Sequence, residues 1–541
     1  MEYIKFFINL WVLISLFILF FISLPIMVIF YSLFNSSGST WIHLYETVLL
    51  DYIFNTSLII LGVSFLVLFI GVSTAWLIST CNFPGRDFFE WFLILPLSIP
   101  TYILTYTYVG IFNCTGFFYK FKNFLFFNFD MYNIDIMNLH TIIFLLSFVL
   151  YPYTYVMVKS SFINQSQLLL ESGRILGNNS IRTFFKVALP IARPSIIGGV
   201  ILSLMELLND YGSFKYFGII TFTTGIFRSW FSLGDCSSAI YLSSFLMFFI
   251  FFLILLEKFQ RGYAKYTIIF NSRSILRYNL SFFQKILAVL FCFLPVFIGF
   301  ILPFFQLFCW SLDTIHKVIN NNFFDLIFTS FLLSFFSSFI CNIISIFLLY
   351  SIRISPIFFI KSIIKTVILG YSIPGAIIAV GIMKFIFEFN KFLDFMFSFN
   401  IMFNSFFILI FSYVVRFIAI SYNSINSGFK KISININEVS RSLGINFFKT
   451  LFFIEIPLIK HSIIGGFILV FIDILKELPL TLILRPFNFE TLSTKTFNLV
   501  SNEMIAESSS YALIIIIISL FFIFFLNSLT KNSKSCENTK D

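Results

Sequence analysis

Runs of about 20 apolar residues, long enough to span the hydrocarbon layer of a bilayer, recur near 8–33, 56–79, 91–112, 141–158, 190–209 and 238–256. A second set follows near 286–310, 324–350, 363–387, 403–422, 462–483 and 511–528. The pattern predicts an all-α polytopic membrane protein with about twelve transmembrane helices, six plus six. Between the sets, from Glu257 to Lys285, the chain turns polar and carries Lys258, Arg261, Lys265, Arg273, Arg277 and Lys285. The domain boundary falls there: a first half over 1–260, a linker over 261–285 and a second half over 286–541. The first apolar run follows Lys5 and has no small-residue cleavage site, so it is expected to be a retained helix and not a signal peptide.

The halves repeat one another. ESGRILGNNSIRTFFKVALPIARP, Glu171 to Pro194, recurs without a gap as EVSRSLGINFFKTLFFIEIPLIKH, Glu438 to His461, at an offset of 267 residues, and SIIGG follows both copies. SIP at Ser98 to Pro100 recurs at Ser372 to Pro374. A repeat of this length marks a duplicated module, and because each loop follows the fourth span of its half, the two units are parallel. Locally each copy reads as a short helix, a turn and a second short helix leading into a span. Glu171 and Arg174 share a helical face, Gly177 falls where left-handed backbone is needed, Asn179 or Ser180 can cap the next helix, and Pro190 suits the first turn of the span.

Composition narrows the class. The chain has 541 residues, 59% hydrophobic and 11% charged, with a mean hydropathy of +0.96, which excludes a soluble globular protein. The net charge of +10 is spread over alternate loops, so orientation in a membrane accounts for it and nucleic acid is not an expected partner. The positive-inside rule places both termini, the linker and both duplicated loops in the cytoplasm. Phe34 to Asn55 on the opposite side has no Lys or Arg. The seven cysteines have no metal-ligand spacing, though Cys114 and Cys236, both placed on the outer face, allow a bridge. The four histidines are isolated.

Carboxylates follow each duplicated loop at the same offset: Glu206 and Asp210, then Asp473 and Glu477. Members of each pair are four apart, on one expected helical face. Glu206 lies eleven residues past Ser195, roughly 16 Å along a helix at 1.5 Å per residue, inside the membrane. Two readings apply: the four line a central pathway where hard oxygen ligands suit a hard cation, or Lys476 or Arg485 neutralises them and they only join the halves. Arg416, also inside a span, is expected to snorkel to the membrane edge or to pair with a carboxylate. Tyr106, Tyr108, Tyr211 and Tyr216 are expected in the interfacial aromatic belt.

The pattern Glu, two small residues, Arg, Leu-Gly and a downstream Pro resembles the EAA loop of ABC importer permeases; Ser172-Gly173 and Val439-Ser440 stand where that family has Ala-Ala. The resemblance implies the type I importer permease fold, with loops 171–190 and 438–457 docked on two copies of a separate ATPase subunit. The docking residues would be Glu171, Gly173, Arg174, Gly177 and Pro190 in one loop, and Glu438, Ser440, Arg441, Gly444 and Pro457 in the other. Longer blocks, NDYGSFKYFGIITFTTGIFRSWF and KELPLTLILRPFNFETL among them, resemble the fused ferric iron permeases of bacteria. That implies a multi-pass inner-membrane permease fed by a periplasmic ferric-binding protein, with transient Fe(III) passage, no stable metal and no cofactor of its own. ATP would be used by the partner, since no GxxxxGK[ST] phosphate loop occurs here. Thiamine and phosphonate permeases are similar alternatives. A twelve-helix secondary transporter would lack the duplicated loop, and a membrane-embedded enzyme would need a convergent acid, base or metal cluster.

Overall fold

A computed structural model describes residues 10–34, 39–112, 136–164, 180–261, 277–354, 362, 364, 373–397, 405–433 and 435–538. In the first half α1 is Leu10–Ser32, α2 Leu49–Thr80, α3 Arg86–Phe92, α4 Thr101–Phe112, α5 Leu139–Asn164, α6 Leu189–Asn209, α7 Gly212–Tyr216, α8 Phe222–Phe227 and α9 Cys236–Arg261. In the second, α10 is Phe282–Val318, α11 Asn321–Ile354, α12 Gly375–Phe397, α13 Ser405–Phe429, α14 Asn435–Ser442, α15 Ile456–Lys476, α16 Pro479–Leu484, α17 Leu492–Ser501 and α18 Ile505–Asn538.

Ten described helices are long and apolar enough to cross a membrane, or eleven if the segment Arg86–Ser98 with Thr101–Phe112, bent by 90°, counts as one. Of the twelfth expected run, 363–387, residues 363 and 365–372 lie outside the described residues. Its helix, α12, starts only after Pro374 and carries Lys384, Glu388, Lys391 and Asp394, so the apolar stretch of the sequence is not one apolar helix. A helix starts afresh after the proline of each SIP tripeptide for the same reason: proline has no N–H to donate and displaces the residue before it from helical backbone. α4 and α12 begin just after Pro100 and Pro374.

The first helix of each half reaches over to the other. α1 packs on α11 and α12, and α10 packs on α2, α4 and, through a π turn at Phe297–Ile301, on α5. Ser15 Oγ donates to Ser351 Oγ at 2.7 Å, Trp11 stacks on Phe347 at 4.6 Å, and Tyr108 Oη donates to the Ile298 carbonyl at 2.6 Å. A short parallel pairing of Cys81–Asn82 with Tyr278–Asn279 ties the α2–α3 turn to the start of α10. Cys114 lies outside the described residues, so its pairing with Cys236 does too.

Enclosure by α5, α7, α10 and α18 explains a further departure. Tyr106, Tyr108 and Tyr211 are buried and Tyr216 half-buried; they fill the bundle and do not form a belt at its rim.

Candidate functional site

The second duplicated loop is described almost throughout. α14 ends in a left-handed Gly444, φ 73°, and the Ile445 N–H reaches back to the Ser440 carbonyl at 3.0 Å, a glycine-terminated helix end that a side chain at 444 would strain. Asn446 precedes the next turn, Phe447–Thr450, but its side chain makes no capping bond. Ser440 is buried, as a small residue there requires, whereas Glu438, Val439 and Leu443 face outward. The foot of α11 anchors the loop. Arg353 donates to the Ile432 and Ser433 carbonyls and pairs with buried Glu455 at 3.3 Å, and Tyr350 Oη donates to the Phe447 carbonyl at 2.7 Å. Glu171, Gly173, Arg174 and Gly177 of the first loop lie outside the described residues, as does the side chain of Arg441.

Each loop runs into its span through a π turn, Phe184–Ala188 and Leu451–Glu455, at the repeat offset. Pro190 and Pro457 follow within the first two residues of α6 and α15. Neither proline can donate to the carbonyl four residues back. The N–H of Leu189 reaches Phe184, and that of Ile456 reaches Leu451, five residues back in both cases, the wider spacing that defines a π turn.

At the far ends of α6 and α15 the backbone becomes extended at Asp210 (ψ 120°) and Glu477 (ψ 122°). This corrects the one-face expectation, because the second acid of each pair ends the helix and caps the next one. Asp210 accepts from the Ser213 N–H at 3.1 Å and from Ser213 Oγ at 2.5 Å; Glu477 accepts from the Leu480 N–H at 3.2 Å. The Asp210 carbonyl takes a hydrogen bond from Thr223 Oγ1 at 3.0 Å, and the Glu477 carbonyl one from Ser493 Oγ at 2.8 Å. Thr221 and Thr491 form matching capping boxes at the starts of α8 and α17. The duplication therefore extends well past the loops.

Glu206, Asp210, Asp473 and Glu477 line one cavity of about 80 Å³, together with Arg416 and Lys476. Arg416 does not snorkel. It is 3% exposed, and Nη1 donates to Glu477 Oε1 at 2.8 Å and to Asn209 Oδ1 at 2.7 Å. Asn209 Oδ1 also accepts the Gly375 N–H, at 2.8 Å, just after the second SIP break, and Lys476 Nζ donates to the Leu97 carbonyl just before the first, at 2.5 Å. Arg485 turns instead to Glu490, at 3.9 Å. A buried ion pair retained at a seam is held by its geometry, and removing one partner is costly. Asn209, Gly375 and Tyr102 were not singled out from sequence. The recurring SIP was the available signal, since it marks where each half exposes backbone groups for the other to bind.

Among the described residues no three His, Cys, Asp or Glu side chains converge closely enough to hold a metal ion. The cavity walls suit passage or latching between halves.

Residues 67–265 match the family model described as binding-protein-dependent transport system inner membrane component. The chain is 24% identical over 482 residues, 87% of its length and 88% of the relative's, to the Fe(3+)-transport system permease protein FbpB 2 of Haemophilus influenzae. It is also similar to the sulfate transport system permease protein CysT of Salmonella typhimurium, 27% over 26% of this chain and 50% of that one. A third relative is the molybdenum transport system permease protein ModB of Haemophilus influenzae, 25% over 29% of this chain and 64% of that one. The repeated loops and the match to the family model point the same way: the chain is similar to the binding-protein-dependent inner-membrane transport components, over residues 67–265 by the family model and over most of its length by the relative named for Fe(3+).

Proposed function

We propose that this permease passes ferric ion from a periplasmic binding protein into the cytoplasm, through the cavity lined by Glu206, Asp210, Asp473 and Glu477. Two ATPase subunits would drive it from the duplicated loops, with both termini on their side of the membrane. Glu438, Ser440, Arg441, Gly444 and Pro457 would form one docking site; Glu171, Gly173, Arg174, Gly177 and Pro190 would form the other.

The observation that carries the substrate is the charge of the cavity. Four carboxylates against two basic side chains leave a formal excess of two negative charges. That favours a cation and opposes an oxyanion, by about 2 kcal/mol for each pair of unit charges 8 Å apart at an effective dielectric constant of 20. The relatives named for sulfate and molybdenum resemble short stretches of the chain, whereas the relative named for Fe(3+) resembles most of it.

The test is ATP-dependent uptake into proteoliposomes holding the chain and its ATPase, with binding protein loaded with ferric ion, sulfate, molybdate or thiamine outside. Ferric uptake alone is expected, and Glu206→Gln with Asp473→Asn should cut it at least tenfold while leaving ATPase assembly intact. Uptake of an oxyanion or thiamine in place of iron would overturn the substrate, and unchanged uptake by the amide variant would remove these carboxylates from the pathway.

A further inference from the structure

Positions 209 and 476 are equivalent in the repeat, and both bridge to the SIP break of the opposite half, Asn209 to the Gly375 N–H and Lys476 to the Leu97 carbonyl. A neutral amide suffices for that bridge in the first half. The positive charge at 476 is therefore more than bridging requires, and it stands in the cavity wall, half-buried, with Glu206 and Asp473 also half-buried there. A second feature of the same cavity points to a ligand. The Tyr102 phenol lines it, is 4% exposed and has no hydrogen-bond partner, although buried hydroxyls are nearly always paired. Phenol and carboxylate oxygens are donors that a hard, highly charged cation prefers.

We propose that Lys476 is a tethered counter-cation: its ammonium balances the acidic cavity while no cargo is present and withdraws when a hard cation arrives beside Tyr102 and no more than two of the carboxylates at a time. This rests on the cavity being the pathway. An ammonium on a four-carbon stem suits the role, because it attracts carboxylates as a point charge and has the rotatable bonds to leave. The exchange needs no covalent step. The ammonium keeps its proton, and one positive group replaces another beside the same acids. In the empty permease the lysine keeps stray divalent cations from settling on the carboxylates.

The experiment measures metal retention by the full-length chain assembled with its ATPase in nanodiscs, dialysed against ferric nitrilotriacetate or the matching gallium complex, with bound metal determined by mass spectrometry. K476M should hold the metal about tenfold or more tightly than the unsubstituted chain, because a like charge in the same cavity has gone. Y102F or E206Q added to K476M should reverse most of that gain, and K476R should restore weak retention. Equal retention by K476M and the unsubstituted chain would overturn the proposal, as would K476R behaving like K476M, which would assign the effect to lost packing. The two readings separate: if K476M gains nothing while E206Q still blocks binding-protein-dependent uptake, the lysine role falls and the pathway stands. If E206Q leaves uptake unchanged, the pathway itself falls.

Discussion

The first half brings Glu206, Asn209 and Asp210 to the cavity, and the second brings Asp473, Lys476 and Glu477 from the same turn of the equivalent helix. The backbone is the same in both: a helix end, an extended acid that caps a short helix, and a hydroxyl bonded to the carbonyl of that acid. Charge is divided unevenly. Both cations, Lys476 and Arg416, come from the second half, so its acids are balanced within their own unit, while those of the first half account for the excess. Duplication kept the scaffold that positions the acids, and divergence in one half set which of them carries unbalanced charge.

The sharpest way to break that asymmetry is to remove its buried cation. Arg416→Met leaves Glu477 buried without its partner and should destabilise the chain by about 3–5 kcal/mol, read as a fall in the detergent-solubilised melting temperature. Arg416→Met with Glu477→Gln should recover most of the loss, and failure to recover would show that the pair is not the source of the cost. Next comes Gly375→Ala. A Cβ there would overlap the Arg416 guanidinium and lie 2.6 Å from Glu477 Oε1, so about 1–3 kcal/mol and most of the uptake should be lost; normal uptake would show that the seam yields easily.

Gly444→Val should cost about 1–2 kcal/mol through left-handed backbone and weaken co-purification of the ATPase subunit, with the cavity unaffected. The smallest effect is expected from Asp210→Asn, the first-half counterpart of Glu477, whose carboxylate is held by the hydroxyls of Ser213 and Thr101 and the Ser213 N–H and not by an ion pair. About 1 kcal/mol is the expected loss. A melting shift as large as that of Arg416→Met would erase the distinction between the halves.

Much of this architecture is legible in the chain itself. Apolar runs marked the spans because the bilayer sets their length, and the 267-residue repeat marked the loops, the turn glycine at 444 and the placement of four acids along the two halves. The seam between the halves was less legible. Arg416 reads as a residue at a membrane edge until Glu477 and Asn209, 61 and 207 residues away, are brought against it by packing. Asp210 and Glu477 looked like members of a helical face because spacing says nothing of where a helix ends. The buried tyrosines were misplaced for a related reason, since an aromatic near the end of a span has the same sequence signature whether it faces lipid or a neighbouring helix.

The π turns at Phe184–Ala188 and Leu451–Glu455 fix an angular phase between each loop and its cavity. One residue of α-helix advances the azimuth by about 100° and the length by about 1.5 Å. Deleting a single residue from either turn would leave the rod nearly as long but turn everything beyond it through more than a quarter of a revolution, carrying the acids of that half away from the seam. Each span is thus a keyed shaft whose two ends stay in register by rotation as well as by distance, and the key is cut at the same residue in both copies.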